Sequence, residues 1–342
     1  MQSKKWFIST LLALLLCLSL CAIFVYAADP CFYYRWPPNL EPVFFNERYQ
    51  NAGLSRNINA DTVLIGTSMT ANYHTDEIER LWKGTALKLT YPDGFFSDFN
   101  TALETVFSHS SPEKVIFGLD INILIRSESE KTVDLPEYLY NDNILDNVEY
   151  LLNKDSISYS AYVWSRNISG DTDTLNDAFT WDVWWNRETA LAGYIRPEPV
   201  LTTTDNEAFL ENCIANISVI EQWATEHPET EWILFVPPYS ILYWDRCERL
   251  GTTSATLYSL EYAFSQLLSY DNIKIFFFAD NAEIITNLDN YGDYIHHSGQ
   301  ISSLLLSKIA SGEGMITREN YLLKISEFYE FIQAYNYDSL FT

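Results

Sequence analysis

The chain has 342 residues, of which 21 are Lys or Arg and 46 are Asp or Glu, so its formal net charge is −25. A chain this acidic is a poor ligand for a phosphate backbone, which nearly excludes nucleic-acid binding as its main role. Apolar residues make up 47 % of the chain and Gly and Pro only 12 each, which excludes disordered and collagen-like classes and indicates a folded protein.

The N-terminus contains a long uncharged segment. No charge occurs from Trp6 to Ala28, a run of 23 residues after two lysines. As a helix this run would span about 34 Å, enough to cross the hydrocarbon core of a bilayer. The preceding lysines predict a cytoplasmic N-terminus and an exported chain. Residues 1–28 are then an uncleaved single-pass signal anchor, which the length of the run favours, or a signal peptide cut near Val25 to Ala28, which would release a secreted protein.

The rest of the chain alternates short apolar strands with helices. Residues 29–60 are rich in Pro, Asn and aromatic residues, and we expect them to form a stalk that packs onto the following domain. Continuous apolar runs predict five strands, at 61–67, 86–90, 114–120, 232–236 and 273–278. Helical patterns fall at 75–83, 96–107, 206–226, 254–269 and 301–309.

This alternation predicts an α/β domain over residues 61–342. Apolar parallel strands need helices on both faces, and right-handed crossovers then give a three-layer α/β/α sandwich with a mostly parallel, flavodoxin-like five-stranded sheet. Residues 122–205 are too many for one crossover, and we expect a mostly helical insertion over one edge of the sheet. Ligands of such sheets bind beyond the carboxyl ends of the strands, so the loops that follow the strands are the candidate site.

Two of these loops carry residues suited to serine chemistry. Ser68 follows the first strand, where a strand-to-helix turn exposes a hydroxyl beside backbone N–H groups that stabilise an oxyanion. Its alternative role is a helix N-cap. Asp293 and His296 lie before the helical pattern at 301–309, and together they can supply the base and the group that orients it. The alternatives there are an Asp turn with a surface histidine, or His297 as the base.

Together the two loops resemble the GDSL/SGNH hydrolase superfamily, and in layout its exported, membrane-anchored DltD-like and alginate-acetylation-like members. The resemblance implies that Ser68 is the nucleophile, that His296 is the base and that Asp293 orients His296. Gly94 resembles the glycine whose N–H joins the oxyanion hole of that family. The Pro-Pro-Tyr239-Ser loop after the fourth strand resembles a loop of the anchored members and places Tyr239 among the candidate substrate-binding residues.

A third block departs from the family pattern. The family has Gly-x-Asn-Asp, with the Asn amide donating to the oxyanion, whereas this chain has Gly118-Leu-Asp120-Ile-Asn122. An ionised Asp120 has no proton to donate and would repel an oxyanion. Either Asp120 is protonated, or Asn122 reaches into the oxyanion hole, or the hole contains only backbone donors. Loss of one such donor costs about 3 kcal/mol of transition-state stabilisation.

The residues and the resemblance together predict a serine acyl-transfer enzyme at the cell surface that uses no metal or cofactor. It would be an acyl-ester hydrolase or an O-acyltransferase, and its partner an acylated glycan or cell-wall polymer, because the site is exported and 15 % of the chain is aromatic. The motif does not separate hydrolase from transferase. The alternative is a catalytically impaired surface module that binds glycan or a membrane partner through Trp181, Trp184 and Trp185. A metal site is disfavoured, because adjacent histidines rarely converge on one ion.

Overall fold

A computed structural model describes residues 2–141 and 143–341. Their contacts divide the chain into two compact units. Unit 1 comprises Met1–Asn59, Thr101–Ser110 and Asp134–Phe179, and unit 2 comprises Ala60–Asn100, Ser111–Val133 and Thr180–Thr342.

Unit 2 contains a six-stranded sheet of order β2-β1-β3-β4-β5-β6. The strands are β1 (Thr62–Gly66), β2 (Ala86–Thr90), β3 (Lys114–Gly118), β4 (Glu231–Val236), β5 (Ile273–Phe277) and β6 (Met315–Ile316). Strands β1 to β5 are parallel, and β6 pairs antiparallel with β5. The predicted α/β class and mostly parallel sheet are confirmed, but the predicted count of five strands is wrong. The sixth strand is only two residues long, too short to show a hydrophobic pattern of its own.

Helices alternate with the strands along the chain, as the sequence predicts. They are α1 (Gln2–Ala28), α2 (Glu47–Asn57), α3 (Thr75–Trp82), α4 (Phe96–His109), α5 (Ile121–Leu124), α6 (Glu137–Tyr140), α7 (Asp146–Leu152), α8 (Lys154–Ser169), α9 (Arg187–Ala192), α10 (Leu210–Glu226), α11 (Ile241–Arg249), α12 (Thr253–Leu267), α13 (Ala282–Ile285), α14 (Gly299–Ser311) and α15 (Tyr321–Ala334). Successive strands are added on opposite sides of β1: β2 lies on one side of it and β3 on the other. In doubly wound sheets such a reversal opens a crevice at the carboxyl ends of the strands, which is where ligands bind.

A buried lysine on β2 supports the segment that follows Ser68. Lys88 is 1 % exposed, although every neighbour on this strand except Thr90 is apolar. Its Nζ donates hydrogen bonds to the carbonyl oxygens of Ala71 and Tyr73, at 2.6 and 2.8 Å. A buried ammonium group is tolerated only when its donors are satisfied, so Lys88 fixes the backbone of this segment.

Unit 1 is helical and includes the apolar helix α1, which is long and apolar enough to cross a membrane by length and composition. Its last residues belong to the core of the unit, because Val25, Ala28 and the following Asp29 are each at most 2 % exposed. Asp29 accepts hydrogen bonds from the backbone N–H of Tyr33 and from the hydroxyl of Tyr150 on α7, both at 2.9 Å. Burial raises the pKa of Asp29 despite these hydrogen bonds.

The residues predicted as a stalk and as an insertion are distributed over both units. Residues 29–59 of the stalk belong to unit 1, together with 134–179 from the insertion. The remainder of the insertion, residues 122–133 and 180–205, belongs to unit 2. Helices α6 to α9 lie within the predicted range and α5 begins one residue before it, but these helices cover fewer than half of residues 122–205, so the insertion is less helical than predicted.

Candidate active site

Ser68, His296 and Asp293 form a continuous hydrogen-bonded chain in unit 2. Ser68 Oγ lies 2.8 Å from His296 Nε2, and His296 Nδ1 lies 2.7 Å from Asp293 Oδ2. Such distances would allow a serine to act as a nucleophile, a histidine as its base and a carboxylate as the group that orients the histidine. The three residues that the sequence singles out are thus in contact, although 228 positions separate Ser68 from His296.

Ser68 opens a short 3-10 turn, Ser68–Thr70, directly after β1. Thr67 caps this turn, accepting a hydrogen bond from Met69 N through its side chain and one from Thr70 N through its carbonyl. The Ser68 N–H is therefore the remaining N–H of the turn that can serve a ligand. Gly66 permits this geometry, because a Cβ there would lie 2.6 Å from Thr70 Cγ2.

The loop that carries Asp293 and His296 is held by its own backbone and by the loop after β4. Asp293 Oδ1 accepts hydrogen bonds from the N–H groups of Ile295 and His296, both at 2.7 Å. The hydroxyl of Ser240 donates to Tyr294 O at 2.7 Å, and that of Tyr291 donates to a carbonyl of the β4 loop at 2.9 Å. These contacts fix the loop that carries the imidazole.

The electrostatics of Asp293 favour the role of orienting group. Burial by itself would raise the pKa of this carboxyl group, but the hydrogen bond and charge of His296, with the two backbone N–H donors, outweigh burial and hold the pKa below its ordinary value. Because an ionised carboxylate only accepts hydrogen bonds, the proton between the pair belongs to His296 Nδ1. The lone pair of His296 Nε2 then faces Ser68 Oγ, which is the arrangement a general base requires.

His297 occupies a different environment from its neighbour. It is 4 % exposed, its Nδ1 faces Ser298 O at 3.3 Å, and its ring meets that of Tyr73 edge to face. Burial lowers the pKa of His297 to about 4. The structure therefore brings His296, and not His297, to Ser68.

Asp120 is the centre of a buried polar network. Its Oδ2 accepts a hydrogen bond from Thr67 Oγ1 at 2.6 Å, and its Oδ1 accepts from Asn122 N at 2.9 Å and from the hydroxyl of Tyr239. Burial, and next the charge of Asp120, raise the pKa of Tyr239 well above its ordinary value, so the phenol stays protonated and donates. Both carboxylate oxygens are thus acceptors, and Asp120 ties the turn of Ser68 to the loops after β3 and β4.

Gly94 has a turn role in the structure. Its N–H donates a hydrogen bond to Tyr91 O at 2.8 Å. The N–H that the family resemblance assigns to the oxyanion hole is therefore already occupied. A Cβ at Gly94 would lie 2.6 Å from Tyr91 Cβ, so the tight turn explains the glycine.

An open cleft of about 450 Å³ leads to Ser68 and His296. Its lining includes the predicted residues Asp120 and Asn122, but neither Gly94 nor Tyr239. The full lining is Thr67, Ser68, Asp93, Asp120, Asn122, Ile123, Arg126, Arg246, Tyr294, Ile295 and His296. The side-chain amide of Asn122 has no hydrogen-bond partner among the described residues, so it is available to a ligand in this cleft.

The segment Trp181–Trp185, here called the tryptophan loop, flanks the loop that carries Asp293 and His296. The ring of Trp181 meets the His296 imidazole edge to face, with centroids 5.2 Å apart, and the backbone N–H of Trp181 donates to Asn72 Oδ1 at 3.0 Å. Trp185 stacks obliquely on Trp181, whereas Trp184 is 81 % exposed. The contact with His296 was not predicted, because no motif links residues 115 positions apart; the only signal was the local density of tryptophan.

Among the described residues, no group of three or more His, Cys, Asp or Glu side chains is arranged to hold a metal ion. The chain matches no protein-family model, and no curated protein resembles it significantly. What the site can do is therefore argued from its geometry.

Proposed function

We propose that the protein is an exported serine-dependent acyl-ester hydrolase or O-acyltransferase that acts on a cell-envelope or surface glycan. The observation that carries this proposal is the hydrogen-bonded chain from Ser68 through His296 to Asp293 at an open cleft. An N-cap serine has no need of a base, and a surface histidine has no need of a carboxylate that orients it. The combination is explained best by nucleophilic catalysis.

The reaction follows from these positions. Ser68 Oγ attacks the ester carbonyl while His296 Nε2 accepts its proton, and Asp293 stabilises the imidazolium that forms. The tetrahedral intermediate then collapses, His296 returns the proton to the leaving alcohol, and an acyl-Ser68 ester remains. Water or a sugar hydroxyl, deprotonated by His296, attacks this ester and regenerates Ser68.

Two donors are suited to the oxyanion of the tetrahedral intermediate. They are the N–H of Ser68 at the start of its turn and the side-chain amide of Asn122, which lines the same cleft. Asp120 fixes both indirectly, since it accepts from Thr67 and from Asn122 N. Of the three alternatives that the sequence left open, this proposal adopts the one in which Asn122 reaches into the oxyanion hole.

The fold and the surroundings support an SGNH-type assignment with a glycan substrate. Ser68, Asp120 and His296 all follow carboxyl ends of parallel strands, and the order of β1 to β5 is that of a doubly wound three-layer sandwich. Trp184 offers an exposed indole face next to the site, and such faces stack on sugar rings.

The proposal also keeps α1 attached as a single-pass anchor with unit 2 on the extracytoplasmic side. Cleavage near Ala28 would cut within the buried core of unit 1, where Val25 and Asp29 are at most 1 % exposed. Removal of Val25 would leave a cavity, and a charged new N-terminus would replace a buried peptide bond.

Fluorophosphonate labelling of the full chain in detergent tests this function. The probe forms a stable adduct only with an activated serine, and peptide mapping locates the adduct. Wild type is expected to carry a single adduct on Ser68 that Ser68→Ala abolishes. Ser218→Ala, which removes an exposed hydroxyl on α10, is expected to label like wild type. No adduct on folded wild type, under conditions that label a control serine esterase, would favour the non-catalytic glycan-binding module instead.

A further inference from the structure

The charged residues that line the cleft are not equally engaged. Asp120 is occupied by the three donors described above. Arg126 donates to Asp93 Oδ1 at 2.7 Å and to Glu130 Oε2 at 3.3 Å, so two carboxylates neutralise it. Arg246, on α11, also lines the cleft. Over residues 2–141 and 143–341, its guanidinium has no hydrogen-bond or ion-pair partner.

The neighbours of Arg246 on α11 do not supply a partner. Asp245, the adjacent carboxylate, is 1 % exposed and is bound by Arg196 through Nε and Nη2, each at 2.9 Å, and by the hydroxyl of Tyr194. Arg249, one turn further along, donates to a backbone carbonyl. Asp245 and Arg249 are thus engaged within the chain, whereas the half-buried Arg246 is left to the cleft.

Among the described residues Arg246 has no ion-pair partner, although the chain is strongly acidic. Acidic residues exceed basic ones by 25, so a carboxylate partner was readily available. A guanidinium presents five N–H donors in a planar fork that matches a carboxylate or phosphate, and it binds either in bidentate fashion. A cleft with one open guanidinium beside a nucleophile is therefore suited to an ester that carries a negative charge.

We propose that Arg246 binds an anionic group, a carboxylate or a phosphate, on the ester substrate and so selects charged over neutral esters. This inference rests on the proposed function, because it assigns a specificity residue to the same cleft. It narrows the substrate class from acylated glycans in general to those that are anionic. The net negative charge of the chain repels such substrates at long range, so Arg246 gives them a local binding site.

Matched pairs of esters test this proposal on the full chain in detergent. One pair places a carboxylate on the acyl part: p-nitrophenyl hydrogen succinate against p-nitrophenyl butyrate. The other places a phosphate on the alcohol part: 6-O-acetylglucose 1-phosphate against methyl 6-O-acetylglucoside. Comparison of the pairs shows which anion, on which side of the ester, Arg246 binds. For the nitrophenyl esters a burst of nitrophenolate counts acylation even where deacylation is slow.

Wild type is expected to show a higher kcat/KM for the charged member of at least one pair. Arg246→Gln is expected to lower kcat/KM for that member by about tenfold to a hundredfold, as loss of a charge-assisted bidentate contact does. For the neutral member, kcat/KM should stay within about threefold of wild type, which would show that the variant is folded. Arg246→Lys should recover part of the preference for the charged member. Arg80→Gln removes the same charge from the surface of α3 and should leave the preference intact.

Several results would overturn the inference. An unchanged ratio in Arg246→Gln, or a lower melting temperature alone, would make Arg246 a cation that stabilises the last turn of α11. An equal loss on both members of a pair would make it an oxyanion donor. In these cases Ser68-dependent turnover persists, and the proposed function stands. If no ester is turned over and Ser68 does not label, the proposed function fails and the inference fails with it.

Discussion

At the scale of single residues, the structure assigns different roles to the two carboxylates near Ser68. Asp293 accepts from His296 Nδ1 and from two backbone N–H groups, and it is positioned to orient the base. Asp120 accepts from Thr67, Tyr239 and Asn122 N, and it holds loops together. A sequence motif identifies the residue type at each position, but the partners of a carboxylate decide its role.

Asp293→Asn is expected to slow fluorophosphonate labelling of Ser68 by about a thousandfold or more. The amide cannot accept and orient the Nδ1 proton as the carboxylate does, so His296 loses the tautomer that leaves Nε2 free to act as a base. The measurement is the second-order labelling rate at neutral pH. Asp271→Asn, at an exposed turn before β5, is the control and should label at the wild-type rate. A wild-type rate for Asp293→Asn would contradict the role given to this residue.

The low pKa of His297 predicts that the folded protein loses stability in acid. Its pKa is about 4 in the folded protein against an ordinary 6.5, so between these values the unfolded chain binds a proton that the folded chain does not. Stability therefore falls as pH drops from 6.5 to 4, by about 3 kcal/mol at most, and His297 has no effect on the pH dependence above this window.

Urea unfolding of wild type and His297→Gln at pH 7 and pH 4.5 measures this component. The variant is less stable at pH 7 because it loses packing, but it should lose less stability than wild type on acidification. His109→Gln, at an exposed position at the end of α4, should follow wild type. A parallel fall in wild type and His297→Gln would show that His297 does not contribute.

At the scale of elements, the apolar strands could be predicted from sequence and the elements without a pattern could not. The predicted bounds of β1 to β5 agree with the structure within two residues, because strands buried on both faces are continuous apolar runs. The two-residue β6 has no such run, and only its pairing with β5 makes it a strand. Ser68, Asp293 and His296 were found because each lies at a strand end or in a recognisable spacing.

The surroundings of these three residues could not be predicted. The contact of Trp181 with His296, and the network around Asp120, join residues far apart in the chain. No periodicity encodes such contacts; they depend on how loops pack after the sheet has formed. The role of Gly94 in a turn could not be predicted either. The sequence shows a glycine after a strand, but it does not show which acceptor the N–H of this glycine contacts.

The tryptophan loop packs directly on the loop that carries Asp293 and His296. Gly292 permits this close approach because it has no side chain. A Cβ there would lie 2.4 Å from Val183 Cγ2 and 3.0 Å from the ring of Trp185. Gly292→Ala should therefore displace the tryptophan loop and its contact with His296, and lower the Ser68 labelling rate by about threefold to tenfold. Gly299→Ala, whose Cβ would meet nothing closer than 3.5 Å, is the control. If Gly292→Ala labels like wild type, the loop does not support the imidazole.

At the scale of the whole molecule, the chain combines a membrane-length apolar helix with strongly acidic units. Helix α1 reaches from its exposed apolar segment into the buried residues of unit 1, so one helix contains both a segment of membrane-spanning length and part of a folded core. Signal peptides end in segments that a peptidase can reach, whereas this junction is buried.

Retention of α1 is checked by intact mass and N-terminal sequencing of protein extracted from membranes of an expressing cell. The expected product retains residues 1–28 and stays in the membrane fraction after a high-salt wash. A soluble exported product that begins at or near Asp29 would contradict the proposed anchor and show that unit 1 folds without α1.

The central claim is that Ser68 is an activated nucleophile, and trapping the acyl-enzyme tests it most directly. The full chain in detergent is mixed with p-nitrophenyl acetate, quenched in acid within the burst and mapped by mass spectrometry. One nitrophenolate per folded chain is expected in the burst, with one acetyl group on the peptide containing Ser68, and neither is expected in Ser68→Ala. A folded wild type that releases nitrophenolate no faster than Ser68→Ala and carries no acetyl group on Ser68 would contradict this role.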